Sequence, residues 1–173
     1  MVRRNIKDMR ILIGGSSSKI FHLQEFANSL EKIGITTKVV LDIDYSNGYP
    51  NRKIAKWFKN NNQFKKLIDE FKPDFIFVDR QRHFGLSAIK SKIPLIVHLR
   101  GDFWKEMKMA EETSYKSFPK RMALKKWYEI GDECFKNSQI ILPICRHLKK
   151  RTLEYYPDQN IEVLYQGINP KNW

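Results

Sequence analysis

Gln139-Ile-Ile-Leu-Pro-Ile144 is an apolar run of strand length, Arg146 to Tyr155 follows with helical spacing and dense positive charge, and Ile161-Glu-Val-Leu164 is a second short apolar run. Strand, helix and strand in close succession are the pattern of a right-handed crossover unit, which places the two strands parallel in one sheet. The same alternation extends upstream. Arg10 to Ile13, Thr37 to Ile43, Phe75 to Val78 and Pro94 to Leu99 are apolar runs separated by helical stretches, so six strands are expected in all. The runs are continuous rather than alternating, as strands covered on both faces are. The expected architecture is α/β: a Rossmann-like three-layer sandwich built on a mostly parallel sheet, in a single domain.

The helices between these runs have recognisable stripes and ends. Ile20, Leu23, Ala27, Leu30 and Ile33 fall three or four apart, and Gly34 stands where a helix C-cap is expected. From Asn60 to Phe71 the positions Phe64, Leu67, Ile68 and Phe71 share one face, and Lys72-Pro73-Asp74 ends the helix. A shorter helix is expected over His83 to Lys90. A long one over Tyr115 to Phe135 has Phe118, Met122, Ala123, Trp127, Ile130 and Cys134 as its stripe, beside Lys116, Lys120, Arg121, Lys125 and Lys126. Asn47-Gly-Tyr-Pro-Asn51 reads as a surface loop from its turn residues.

With 173 residues, 42% of them hydrophobic, the chain has material for one core. Its 32 Lys and Arg against 19 Asp and Glu leave a formal charge of +13, which favours anionic partners: phosphates, lipid headgroups, acidic glycans or nucleic acid. Aromatics beside lysines, as in Lys56-Trp-Phe-Lys59 and Lys125-Lys-Trp-Tyr128, are ingredients of a nucleic-acid surface. No zinc-finger spacing, RNP-like strand or helix-turn-helix accompanies them, so nucleic acid is the lesser expectation. Cys134 and Cys145 have neither metal-ligand spacing nor a secretory signal upstream, which points to a reducing cytoplasm. The basic helix of Lys116 to Lys126 offers the alternative of peripheral contact with an anionic inner membrane surface.

Three segments fall where ligands bind in a wound sheet, beyond the carboxyl ends of its strands. Gly14-Gly15 closes the first strand, with Ser16-Ser-Ser-Lys19 after it; this is not the Gly-x-Gly-x-x-Gly dinucleotide fingerprint. The pair is either a close approach to a ligand or a tight strand-to-helix turn with Ser18 as N-cap. His98-Leu-Arg-Gly-Asp-Phe-Trp104 follows the fourth strand and gathers a His, an Arg and an Asp. Arg100 can clamp a phosphate or carboxylate and Asp102 can orient a hydroxyl, or the two can simply pair and fix the loop. His98, on an apolar strand, is equally a core residue, so Arg100 and Asp102 are the stronger candidates. Ser138-Gln139 to Cys145-Arg146 brings a strand into a helix, with Cys145 at the cap position.

Met9-Arg-Ile-Leu-Ile-Gly-Gly15, the His98 to Asp102 segment, the strand of Gln139 to Ile144 and Gln166-Gly-Ile-Asn-Pro170 together resemble, in order and spacing, the N-terminal domain of GT-B-fold glycosyltransferases of the family-4-like, retaining group. The resemblance implies residues 1–8 as an extension, 9–169 as the acceptor-side domain and 170–173 as the start of a linker to a donor-binding domain absent from this chain. It implies transfer of a sugar from a UDP- or GDP-linked donor to a glycan, lipid-linked or small acceptor, without a metal or tightly bound cofactor. It also implies no turnover without that second domain or a partner subunit. Gly14, Gly15, Ser16, His98, Arg100 and Gly101 become candidate substrate-binding residues and Asp102 the candidate catalytic residue. A stand-alone basic domain binding a phosphorylated or nucleic-acid ligand, and half of a sugar-nucleotide epimerase, are the alternatives.

Overall fold

Residues 8–51, 53–58, 62–165 and 167 are described in the computed structural model of the chain. The expectations for the N-terminal extension up to residue 7, for residues 59–61, for Gln166, for the domain's end at 168–169 and for the linker of 170–173 fall outside them.

Strands β1 (Arg10–Gly15), β2 (Thr36–Leu41), β3 (Phe75–Val78), β4 (Leu95–Leu99) and β5 (Ile140–Pro143) form one parallel sheet in the order β2-β1-β3-β4-β5. Around them lie α1 (Ile20–Glu31), α2 (Asp42–Tyr45), α3 (Asn62–Phe71), α4 (His83–Ser91), α5 (Phe103–Thr113), α6 (Phe118–Lys136) and α7 (Arg146–Tyr155). This is a Rossmann-like α/β sandwich. Side chains alternate across each strand. Leu12, Ile76, Val78 and Val97 therefore meet Phe64 of α3, Phe84 of α4 and Ile130 and Phe135 of α6 on one face. Ile11, Ile13 and Phe77 meet Leu23 and Ala27 of α1 on the other. Both faces are buried, which is why the strands read as unbroken apolar runs.

Five strands stand where six were expected. Ile161 bridges Ile141, and the backbone N–H groups of Glu162 and Leu164 donate to the carbonyls of Ile141 and Pro143 at 3.1 and 3.0 Å, so the last run lies along β5. Pro143 has no N–H to return, and the ladder stops there. The second strand ends at Leu41 rather than Ile43, because α2 begins at Asp42. Ser18 is not an N-cap: Ser17–Lys19 is a 3-10 turn, Ser16 and Ser18 face each other through their hydroxyls at 3.1 Å, and α1 starts without a side-chain cap. Gly34 does end α1, at φ 90°. Asn47 to Asn51 is not wholly a surface loop. Gly48 and Pro50 are buried, and a Cβ on Gly48 would stand 3.0 Å from the His83 ring.

The long helix begins at Phe118, with Pro119 in its first turn, and its buried side is Leu124, Ile130, Cys134 and Phe135. Phe118 and Met122, expected in the stripe, are 78% and 51% exposed, and the buried side of α6 starts only at Leu124. Cys134 is fully buried against Gly85, and burial pushes its thiol up to about 12. A thiol without a thiolate is inert. Iodoacetamide at neutral pH is expected to label Cys145, which is partly exposed, and to leave Cys134 unlabelled until denaturant is added. Mass spectrometry of the labelled peptides reads this directly.

Candidate functional site

The first crossover runs from β1 to β2 in one direction and the next returns across β1 to β3, so the strand order reverses between β1 and β3. Connections leave such a point on opposite faces and open a crevice at the carboxyl ends. Register decides what stands there. Gly14 is opposite Val78 and Val78 opposite Val97, so the next residues along, Gly15, Asp79 and His98, form a row across the top of three strands. Arg100 is two residues past His98 and shares its side.

Asp79 is the centre of this row. It is 4% exposed, and its N–H donates to the Gly14 carbonyl at 3.2 Å. Its Oδ1 lies 3.4 Å from Arg100 Nη1 and 3.4 Å from His98 Nδ1. One carboxylate thus accepts a hydrogen bond from a guanidinium and stands at contact distance from an imidazole. His98 is 6% exposed and packs on Phe77, with ring centroids 5.4 Å apart. Neither of its ring nitrogens, Nδ1 or Nε2, has a hydrogen-bond partner among the described residues.

Asp79 and Arg100 are the wall between two clefts. The first, about 570 Å³, opens toward α5 and α6 and includes Arg80, Arg82, Gly101 and Trp127. The second, about 620 Å³, lies against α1 and includes His22, Phe26, His98 and Tyr165.

The other candidates fall around this wall. Gly14 and Gly15 border neither cleft directly; they are small for packing. A Cβ on Gly14 would stand 2.5 Å from the Phe84 ring, and one on Gly15 only 2.0 Å from Leu23 Cδ1. Their absence of side chains lets α4 and α1 close on the sheet and brings the backbone to Asp79. Ser16 is among the lining residues of neither cleft, and its hydroxyl is hydrogen-bonded to that of Ser18. Gly101 is covered by the carboxylate of Glu106, which a Cβ there would meet at 2.3 Å. Asp102 does not pair with Arg100. Its Oδ1 accepts from the Lys105 N–H at 3.0 Å, capping α5, and its Oδ2 lies 3.4 Å from Arg151 Nε. The carboxylate is occupied in holding α5 and α7 together.

Asp79, Arg80 and Arg82 were not foreseen. They follow β3 directly, and the available signal was position alone: Val78-Asp-Arg-Gln-Arg82 ends a strand on the ligand side of the sheet.

No family model and no curated protein matches the chain. Among solved structures, UGT73P12 of Glycyrrhiza uralensis, crystallised with glycyrrhetinic acid 3-O-monoglucuronide, is similar at 14% identity and a TM-score of 0.46, over 94% of this chain and 43% of that one. The chain therefore spans less than half the length of that protein.

Proposed function

We propose that this domain is the acceptor-side half of a retaining glycosyltransferase that uses a UDP- or GDP-linked sugar. The observation that supports it is the meeting, at the point where strand order reverses, of the glycine turn and the His98 to Gly101 segment on one buried residue, Asp79, whose N–H donates to the Gly14 carbonyl and whose carboxylate faces His98 and Arg100. These are the segments that carry the resemblance in the sequence. In this proposal Asp79 is a positioning residue: it holds the Arg100 guanidinium between the clefts, where Arg100 meets the negative charge of the reactants. Positioned cationic side chains stabilise a departing diphosphate without the cost of reorganising solvent. Asp102, capping α5, shapes the first cleft rather than touching substrate.

The nucleotide belongs, on the same proposal, to a second domain, so this chain by itself binds without turning over. Purified protein incubated with UDP- and GDP-sugars and an acceptor panel is expected to release no more than one equivalent of nucleoside diphosphate. Acceptors are expected to shift the amides of Asp79 to Arg82 in NMR spectra. Multiple turnover by the chain alone would overturn the division of labour. An acceptor panel that leaves those amides unmoved would overturn the cleft assignment. Salt-steep binding to arbitrary RNA would instead favour a stand-alone anion-binding domain, for which the +13 charge speaks.

A further inference from the structure

We propose that the first cleft seats an anionic group of the acceptor, a phosphate or a carboxylate, on Arg80 and Arg82, with the adjoining ring or chain against Trp127 and Phe103. This rests on the assignment of the domain to the acceptor.

The charge balance of the cleft points to such a ligand. Lys19, Arg80, Arg82 and Arg100 border it, against Asp79 and Glu106. Arg100 is matched by Asp79 at 3.4 Å. Among the described residues, Lys19, Arg80 and Arg82 are in no ion pair closer than 4 Å. Asp42, the acid that acts on Arg82 electrostatically, is itself held above the ordinary carboxylate range by burial, with Arg82 pulling the other way. Both side chains are exposed at the mouth of the cleft, yet partial desolvation of Arg82 and the neighbouring Arg80 both disfavour its charge. Two guanidiniums crowded in one cleft repel, and an anion between them relieves the cost.

The cations are also held in place. The Arg82 N–H donates to the Arg80 carbonyl at 3.0 Å, a tight turn that presents both side chains from one short loop. The Trp127 ring lies 5.2 Å from the Arg82 guanidinium carbon and restricts its orientation. Phe103, Met107, Leu124 and Trp127 give the same cleft an apolar side. A purely inorganic ion would leave that side unused; a phosphorylated or uronic sugar would cover it.

The test is an NMR titration of the amides from Arg80 to His83 at constant ionic strength, with inorganic phosphate, glucose 6-phosphate, glucuronate and UDP as separate probes. Saturable binding of glucose 6-phosphate or of glucuronate is expected, roughly tenfold tighter than inorganic phosphate, the equivalent of covering one side of a sugar ring. Whichever of the two binds identifies phosphate or carboxylate as the anion. The double substitution Arg80→Gln, Arg82→Gln is expected to weaken that binding by about tenfold or more, each guanidinium supplying charge-assisted hydrogen bonds. Lys120→Gln, Lys125→Gln, on the exposed side of α6, is the control and is expected to leave it unchanged. Equal weakening by both double variants would reduce the effect to a diffuse field and overturn the proposal. So would the lack of saturation with every probe, or binding by UDP alone, which would make the cleft a donor site. Binding that survives while no transfer is found with any second domain would leave the anion seat standing and remove the transferase assignment.

Discussion

Asp79→Ala is expected to destabilise the protein by about 3 kcal/mol, the lower end of what removing one partner from a buried ion pair costs. The carboxylate side chain is 1% exposed, the His98 side chain 8% and the Arg100 side chain 21%. Deleting the acid removes a buried charged partner from the Arg100 guanidinium and a neighbouring carboxylate from the His98 ring. Arg100 has part of its surface in the clefts and can recover some hydration, which keeps the loss from the upper end. For a domain of this size about 3 kcal/mol corresponds to a melting temperature lower by roughly 6–12 °C. Asp79→Asn, which keeps the shape and one acceptor oxygen, is expected to lose less than half as much. Urea unfolding of the two variants reads the difference. If Asp79→Ala unfolds with wild-type midpoint, the three side chains are not an energetically coupled group and the site loses its centre.

The sequence made the scaffold legible because burial on both faces writes itself into composition: a strand such as Ile76-Phe-Val78 has no polar alternation to confuse it. α7 emerged with its observed ends, Arg146 and Tyr155, because helical spacing is a local property. The site was less visible because its contacts are not local. Asp79 meets Arg100 across 21 positions, and only the strand order places them side by side. Gly14 and Gly15 look the same whether a ligand or a side chain comes close. What decides is Phe84, seventy positions beyond Gly14, and Leu23, on a helix whose packing the pattern does not specify. Asp102 was read by its neighbours in the chain, Arg100 above all, although an Asp just ahead of a helical segment is also the usual signal for an N-cap. The helix it caps, α5, was itself unforeseen, so that signal had nothing to attach to. Phe118 and Met122 kept the right spacing yet lie in solvent, since periodicity reports a face without reporting how far along the helix that face is covered.

Phe135→Ala is expected to be the most costly single truncation in the core, at about 3–5 kcal/mol. The ring is fully buried at the junction of three helices. It meets Phe103 and Trp104 of α5 at 5.4 and 5.7 Å between centroids, and Tyr156, just past α7, at 5.4 Å. Tyr156 in turn donates its hydroxyl to Asp132 on α6 at 2.8 Å. Gly131, one turn back on α6, has no side chain where Phe103 packs: a Cβ there would stand 2.3 Å from the ring. α5 is thus fastened by aromatic contact with the far end of α6 and, through the Trp104–Tyr155 stack at 4.2 Å, with α7, and it also bears Phe103, Met107 and Glu106 of the first cleft. The cavity left by alanine cannot collapse without moving that helix. The loss should therefore be uneven. Hydrogen exchange is expected to accelerate most in α5, and ligand shifts at Arg80 to His83 should weaken, while amides of α1 beside the second cleft keep their protection relative to global unfolding. Phe135→Leu, which fills much of the space, is expected to restore most of both stability and first-cleft binding. Uniform acceleration across α1 and α5 would show that the aromatic junction supports the whole sheet rather than one wall of one cleft, and the first cleft would then owe its shape to the end of β4 and the loop after β3 instead of to α5.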